Sequence, residues 1–141
     1  MPKYPVPEGL KELIEPDVYH KWLHRKAKSL VKRDRTRGNP DATVESYKEE
    51  IQKTLVRDGI ADWYTGETLN WNLVSTYDNE ESKHDGREVK KKFRLLPTID
   101  HESNGCAPPF RVCGWAVNDA KNDLSLEDFV ALCKRVIAHQ Q

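Results

Sequence analysis

Two stretches of the N-terminal half repeat their apolar residues every three or four positions, the spacing of a helix with one buried face. Tyr19, Leu23, Ala27 and Leu30 form the first stripe. Pro16 suits the first position of that helix because it has no N–H to lose there, and Gly38-Asn39-Pro40 must lie beyond its end. The predicted helix runs from about Pro16 to Arg35. Val44, Tyr47, Ile51 and Leu55 predict a second helix from about Asp41 to Arg57, closed by Asp58-Gly59. Ahead of both, Pro2, Pro5 and Pro7 keep the chain extended, and Glu8 to Glu15 has room for one or two helical turns.

The period changes after Gly59. Thr65-Gly66 predicts a turn, and Leu69, Trp71 and Leu73 alternate as a short strand would. Residues 75–92 are polar without periodicity and read as a loop with some helix. Phe93 to His101 predicts a strand, which Pro97 confines to an edge or an irregular end. Glu102 to Pro109 is a loop, Phe110 to Trp115 a second strand, and Asn118 to Lys121 the beginning of a helical segment. Ser125 and Asp128 form a capping pair for a final helix. Leu126, Phe129, Val130, Cys133, Val136 and Ile137 predict a strongly buried stripe along it.

Composition narrows the class. A chain of 141 residues supports one core. A third of it is charged, and no apolar run approaches a membrane span, so no membrane partner is expected. The first residues lack the apolar core of a secretory signal. Three cysteines without a C-x-x-C pair exclude a four-cysteine zinc site and fit a reducing cytoplasm, the expected location.

The net charge is zero but segregated. Residues 21–37 carry eight Lys/Arg against one acid, and residues 40–81 carry three against ten. Residues 83–94 carry six against two. Within the first basic block, Lys21, Arg25, Lys28, Lys32 and Arg35 recur at steps of four, three, four and three, opposite the apolar stripe. Such a stripe is either a solvated face or a seat for phosphates. Its self-repulsion favours the second reading.

The C-terminal third carries the candidate chemistry. Asp100-His101 closes a strand, and Asn118 opens a helix after the next strand. A carboxylate and an amide oxygen are hard ligands suited to Mg²⁺ or Mn²⁺, and a neutral imidazole beside them can take a proton from water. Metal and activated water together serve phosphodiester hydrolysis. Neighbours on a regular strand point to opposite faces, so Asp100 and His101 converge only where the strand relaxes. A purely structural Asp–His hydrogen bond is the competing reading. Asparagines at Asn118 and Asn122 also serve commonly as caps.

Leu96-Pro97-Thr98-Ile99-Asp100-His101, a second strand and then Asn118-x-x-Lys121 resemble the HNH endonuclease family, the ββα-metal fold. Tyr64-Thr65-Gly66-Glu67 resembles the turn that precedes the motif, where a cysteine often stands in place of the tyrosine. The resemblance covers roughly residues 62–123. It implies His101 as general base, with Asp100 and Asn118, or Asn122 one turn later, as metal ligands. The family's bracing asparagine is missing near Pro109-Phe110, where Asn104 is a possible substitute, and the zinc-bracing cysteines are absent.

The expected fold is α+β: an N-terminal helical region with the basic helix over residues 1–58, and an HNH-like core with a C-terminal helix over 59–141, in one compact domain. The expected function is a DNA endonuclease that uses one Mg²⁺ or Mn²⁺ and favours duplex. Lys21, Arg25, Lys28, Lys32, Arg35, Arg111 and Lys121 would hold the backbone. The alternative is a weakly active or inactive nucleic-acid-binding or assembly protein on the same scaffold. A small hydrolase of another phosphoester is a third class. Cys106 is expected to be the most exposed thiol.

Overall fold

The structure, a computed structural model, describes residues 3–75, 91–103 and 105–141. Residues 76–90 of the loop expected over 75–92, together with Asn104, lie outside the described residues. A 3₁₀ turn at Glu8–Leu10 precedes α1, Pro16–Thr36, which opens on its proline. Basic residues in the last turn of α1 suit the negative end of the helix dipole. The chain leaves through Gly38 at φ +106°. Helix α2 spans Val44–Asp58, three residues later than the sequence predicts. Its start is fixed by Thr43, whose hydroxyl accepts from the Ser46 N–H at 3.2 Å.

The two helices pack together on their predicted stripes. Tyr19, Leu23 and Ala27 of α1 and Tyr47, Ile51 and Leu55 of α2 are all buried. Trp71 completes this core, edge-on to Trp22 at 5.1 Å between centroids, with its indole N–H on the Ile60 carbonyl. Residues Trp71–Ser75 form a 3₁₀ turn rather than the predicted strand. Leu69 and Trp71 do face inward, but alternation reports only which side chains are buried. The Leu73 N–H bonds locally to the Asn70 carbonyl, so no ladder forms.

Strands β1, Pro97–His101, and β2, Phe110–Gly114, make a two-stranded antiparallel sheet, with Pro97 opposite Gly114 and His101 opposite Phe110. Every residue of β1 is buried. The strand starts later than predicted because residues 93–96 turn, the Leu96 N–H returning to the Phe93 carbonyl. Gly114 is required: a Cβ there would lie 2.9 Å from the Arg94 carbonyl oxygen. Its N–H donates to Asp62, which also accepts from Tyr64 and Thr65 and so ties the Thr65-Gly66 turn to the sheet.

Helix α3, Trp115–Lys121, follows β2 directly. Trp115 therefore opens a helix instead of ending a strand, and Asn118 lies mid-helix. Helix α4, Leu126–Gln140, starts at the Ser125 cap, where Ser125 accepts from the Asp128 N–H at 3.1 Å. Its expected buried stripe is not buried. No residue of α4 falls in that class, and Val136 and Ile137 are 53% and 54% exposed. The architecture is α+β. No helix among the described residues is long and apolar enough to cross a membrane.

Candidate functional site

Asp100 and His101 lie on opposite sides of β1, as regular strand geometry requires. On one side, Asp100 accepts from the Tyr64 hydroxyl at 2.7 Å and lies 2.9 Å from the Lys121 ammonium. The same ammonium donates to the His101 carbonyl at 2.9 Å and sits over the Tyr64 ring. Asp100 is 3% exposed and Lys121 1%. Burial and the neighbouring Asp100 carboxylate push the Tyr64 phenol well above its ordinary pKa.

On the other side, His101 meets Asp34 from α1. Its Nε2 stands 2.8 Å from Oδ1 and 2.9 Å from Oδ2, with the hydrogen bond to Oδ2. Tyr47 of α2 donates to the same Oδ2 at 2.5 Å. Phe110 stands edge-on to the imidazole at 5.2 Å. Asp34 is fully buried and His101 nearly so, and the ring's Nδ1 is enclosed without a partner among the described residues. The two residues form neither a shared catalytic centre nor an Asp–His pair with each other. Each is a separate buried polar link, one from β1 to α3 and one from β1 to α1 and α2.

This arrangement does not fit a Mg²⁺ or Mn²⁺ ligand set. Asp100 is already neutralised by an ammonium, and a hard cation would have to displace it. Among the described residues there is no group of three or more His, Cys, Asp and Glu that could hold a metal ion. Asn118 instead lines a cleft with Lys26 and Thr98. Asn122 sits at φ +50° as the C-cap of α3, a conformation asparagine tolerates better than most residues.

Two residues expected at phosphates are engaged elsewhere. Lys121 is buried, as described. Arg111 is held by Asp58 at 2.6 Å and by Glu102 at 3.4 Å, with its guanidinium 4.1 Å from the Trp63 ring centre. The α1 stripe differs. Lys21, Arg25, Lys28 and Lys32 are exposed, and none forms an ion pair with a described residue. Arg35 is exposed too, with its Nε on the Ala42 carbonyl. Arg33 and Arg37, on the neighbouring edge, both bind Asp123.

The stripe opens at Arg25 onto a cleft of about 400 Å³ between α1, β1 and α3. Arg25, Lys26, Ser29, Thr98 and Asn118 line it with Trp22 and Trp115, and no carboxylate among the described residues does. Lys26 donates to Thr98 at 3.1 Å. Burial, with Arg25 beside it, lowers the Lys26 pKa to about 8. The Trp22 indole N–H is buried without a partner among the described residues. A cleft so rich in donors is suited to an anion.

Comparison with protein-family models, curated proteins and solved structures found no match.

Sequence reasoning passed over Asp34, Tyr47 and Lys26 as site residues. Asp34 was nonetheless marked, since it continues the stripe Leu23, Ala27, Leu30 by one further step of four. An acid on an apolar face needs a buried partner. Lys26 lies four residues after Trp22 on the flank of that stripe, where a long side chain can lie against apolar surface. The exposed thiol is Cys133; Cys106 is half-buried and Cys113 buried.

Proposed function

We propose that this chain binds nucleic acid through its phosphates and that the Asp100–His101 strand end serves the fold. One observation carries the reading: a row of exposed cations on a rigid helix has no acidic partner among the described residues and runs into a donor-lined cleft. Cations held at helical spacing on one face match the repeating negative charge of a backbone, and their affinity arises largely from counterion release. Contacts of this kind position the ligand without reading sequence. Duplex DNA is the favoured ligand, since a straight helix face follows a groove edge.

A metal-dependent endonuclease is the second reading. The strand–strand–helix order of β1, β2 and α3, with Asn118 and Lys121 on the helix, favours it. It requires Lys121 to leave Asp100 and His101 to leave Asp34.

Fluorescence anisotropy with labelled duplex, over a salt series, tests the first reading. Lys21→Gln/Lys28→Gln/Lys32→Gln, all surface changes, should weaken binding at least tenfold and leave the melting temperature unchanged. Equal binding by that variant, or none by the wild type, sinks the reading. Plasmid nicking in Mg²⁺ or Mn²⁺ that stops in EDTA and in Asn118→Ala would install the endonuclease instead.

A further inference from the structure

Helix α4 is the least explained element of the fold. Its 15 residues carry an apolar stripe of which Leu126 and Phe129 are half-buried and none is fully buried. Val130, Val136 and Ile137 are 39%, 53% and 54% exposed. The stripe forms one wall of an apolar groove of about 490 Å³ whose other wall includes Ala116, Val117 and Ala120 of α3. Isolated helices of this length are marginal in water, so an amphipathic one is normally stabilised by covering its apolar face. A continuous apolar surface of this kind marks an interaction site.

The charges on α4 identify the cover. Leu126, Val130, Cys133 and Ile137 repeat at steps of four, three and four, a coiled-coil seam. Glu127 and Lys134 stand seven residues apart, two helical turns, and so lie on the same edge of that seam. Both are exposed. In an antiparallel helix pair, like edges meet. Glu127 of one copy then faces Lys134 of the other, and two-fold symmetry repeats the pair. In a parallel pair this edge would meet the opposite edge, which carries Phe129 and Val136. The seam is therefore complementary to itself in one orientation.

We infer that α4 is the contact surface of a homodimer, two copies pairing antiparallel along this stripe. The small side chains of Ala116 and Ala120 on α3 leave room for the partner helix to settle into the groove. Residues 126–137 are remote from the α1 stripe in sequence, and the inference does not depend on nucleic-acid binding.

Sedimentation equilibrium in reducing buffer, which prevents Cys133 from linking copies, gives the mass. The expected result is twice the chain mass at micromolar protein. Val136→Glu/Ile137→Glu, both at exposed positions, should give a monomer with an unchanged melting profile for the body. Glu127→Lys and Lys134→Glu should each raise the dimer dissociation constant several-fold, and the double exchange should restore it. A monomeric wild type overturns the inference, even if it sediments with lipid vesicles, which would assign the face to a membrane surface. A dimer that survives the double glutamate change overturns it as well. Failure of the charge exchange to restore the dimer overturns the antiparallel arrangement.

Discussion

The ion pair of Asp100 with Lys121 decides what β1 can do. Both groups are within 3% of complete burial, so neither has water to fall back on. Lys121→Met would leave Asp100 enclosed with only the Tyr64 hydroxyl. The expected loss is about 3–5 kcal/mol, read from urea unfolding. Asp100→Leu/Lys121→Met removes both charges and should recover most of it. Lys26 makes the opposite prediction. Its pKa is lowered to about 8 from an ordinary 10.5, so the unfolded chain holds a proton there that the folded chain releases. Stability from this group therefore rises with pH across that window. Lys26→Met should melt higher than the wild type at pH 7, and the gap should narrow as pH climbs past 8. The same variant should bind duplex more weakly, because it removes a donor from the cleft.

The two serine/threonine caps separate the packed elements from the unpacked one. Thr43 caps α2, whose Ile51 and Leu55 sit in the core, so Thr43→Ala should lower global stability by about 1 kcal/mol. Ser125 caps α4 by the same chemistry, but no residue of α4 is fully buried. In the monomeric Val136→Glu/Ile137→Glu background, Ser125→Ala should reduce helical circular dichroism and leave the main melting transition in place. Helix α1 was legible because it carries a period, a start signal and a stop signal together; α2 carries a period and a stop, and its Thr43 cap sets its start three residues later than expected. The strand expected at residues 69–73 was not, because burial of Leu69 and Trp71 imitates a strand where no partner strand among the described residues lies alongside.

For the molecule as a whole, zero net charge conceals a division of labour among the charges. Arg33 and Arg37 meet Asp123, Arg111 meets Asp58, and Arg94 meets Glu67. Lys21, Arg25, Lys28 and Lys32 have no such partner among the described residues. If all four meet phosphates, the logarithm of the binding constant should fall against the logarithm of salt with a slope of roughly −3 to −4. Removing Lys28 alone should reduce that slope by about one. Neutralising Arg33, already paired, should leave it nearly unchanged.

By itself the sequence determined the local order of this protein: two amphipathic helices, two short strands, a capped terminal helix and a cationic stripe. Each depends on spacing and on residues within a turn or two, which the chain states directly. The tertiary structure alone decided the partners. Asp100 and Lys121 are 21 positions apart, and His101 and Asp34 are 67 apart, so no local pattern could announce either pairing. Adjacent residues that read as one site were drawn to opposite sides of β1, each toward its own buried counter-group. The stripe of α4 shows the converse. Periodicity reveals that a face seeks cover, but the described residues leave that face without a fully buried position.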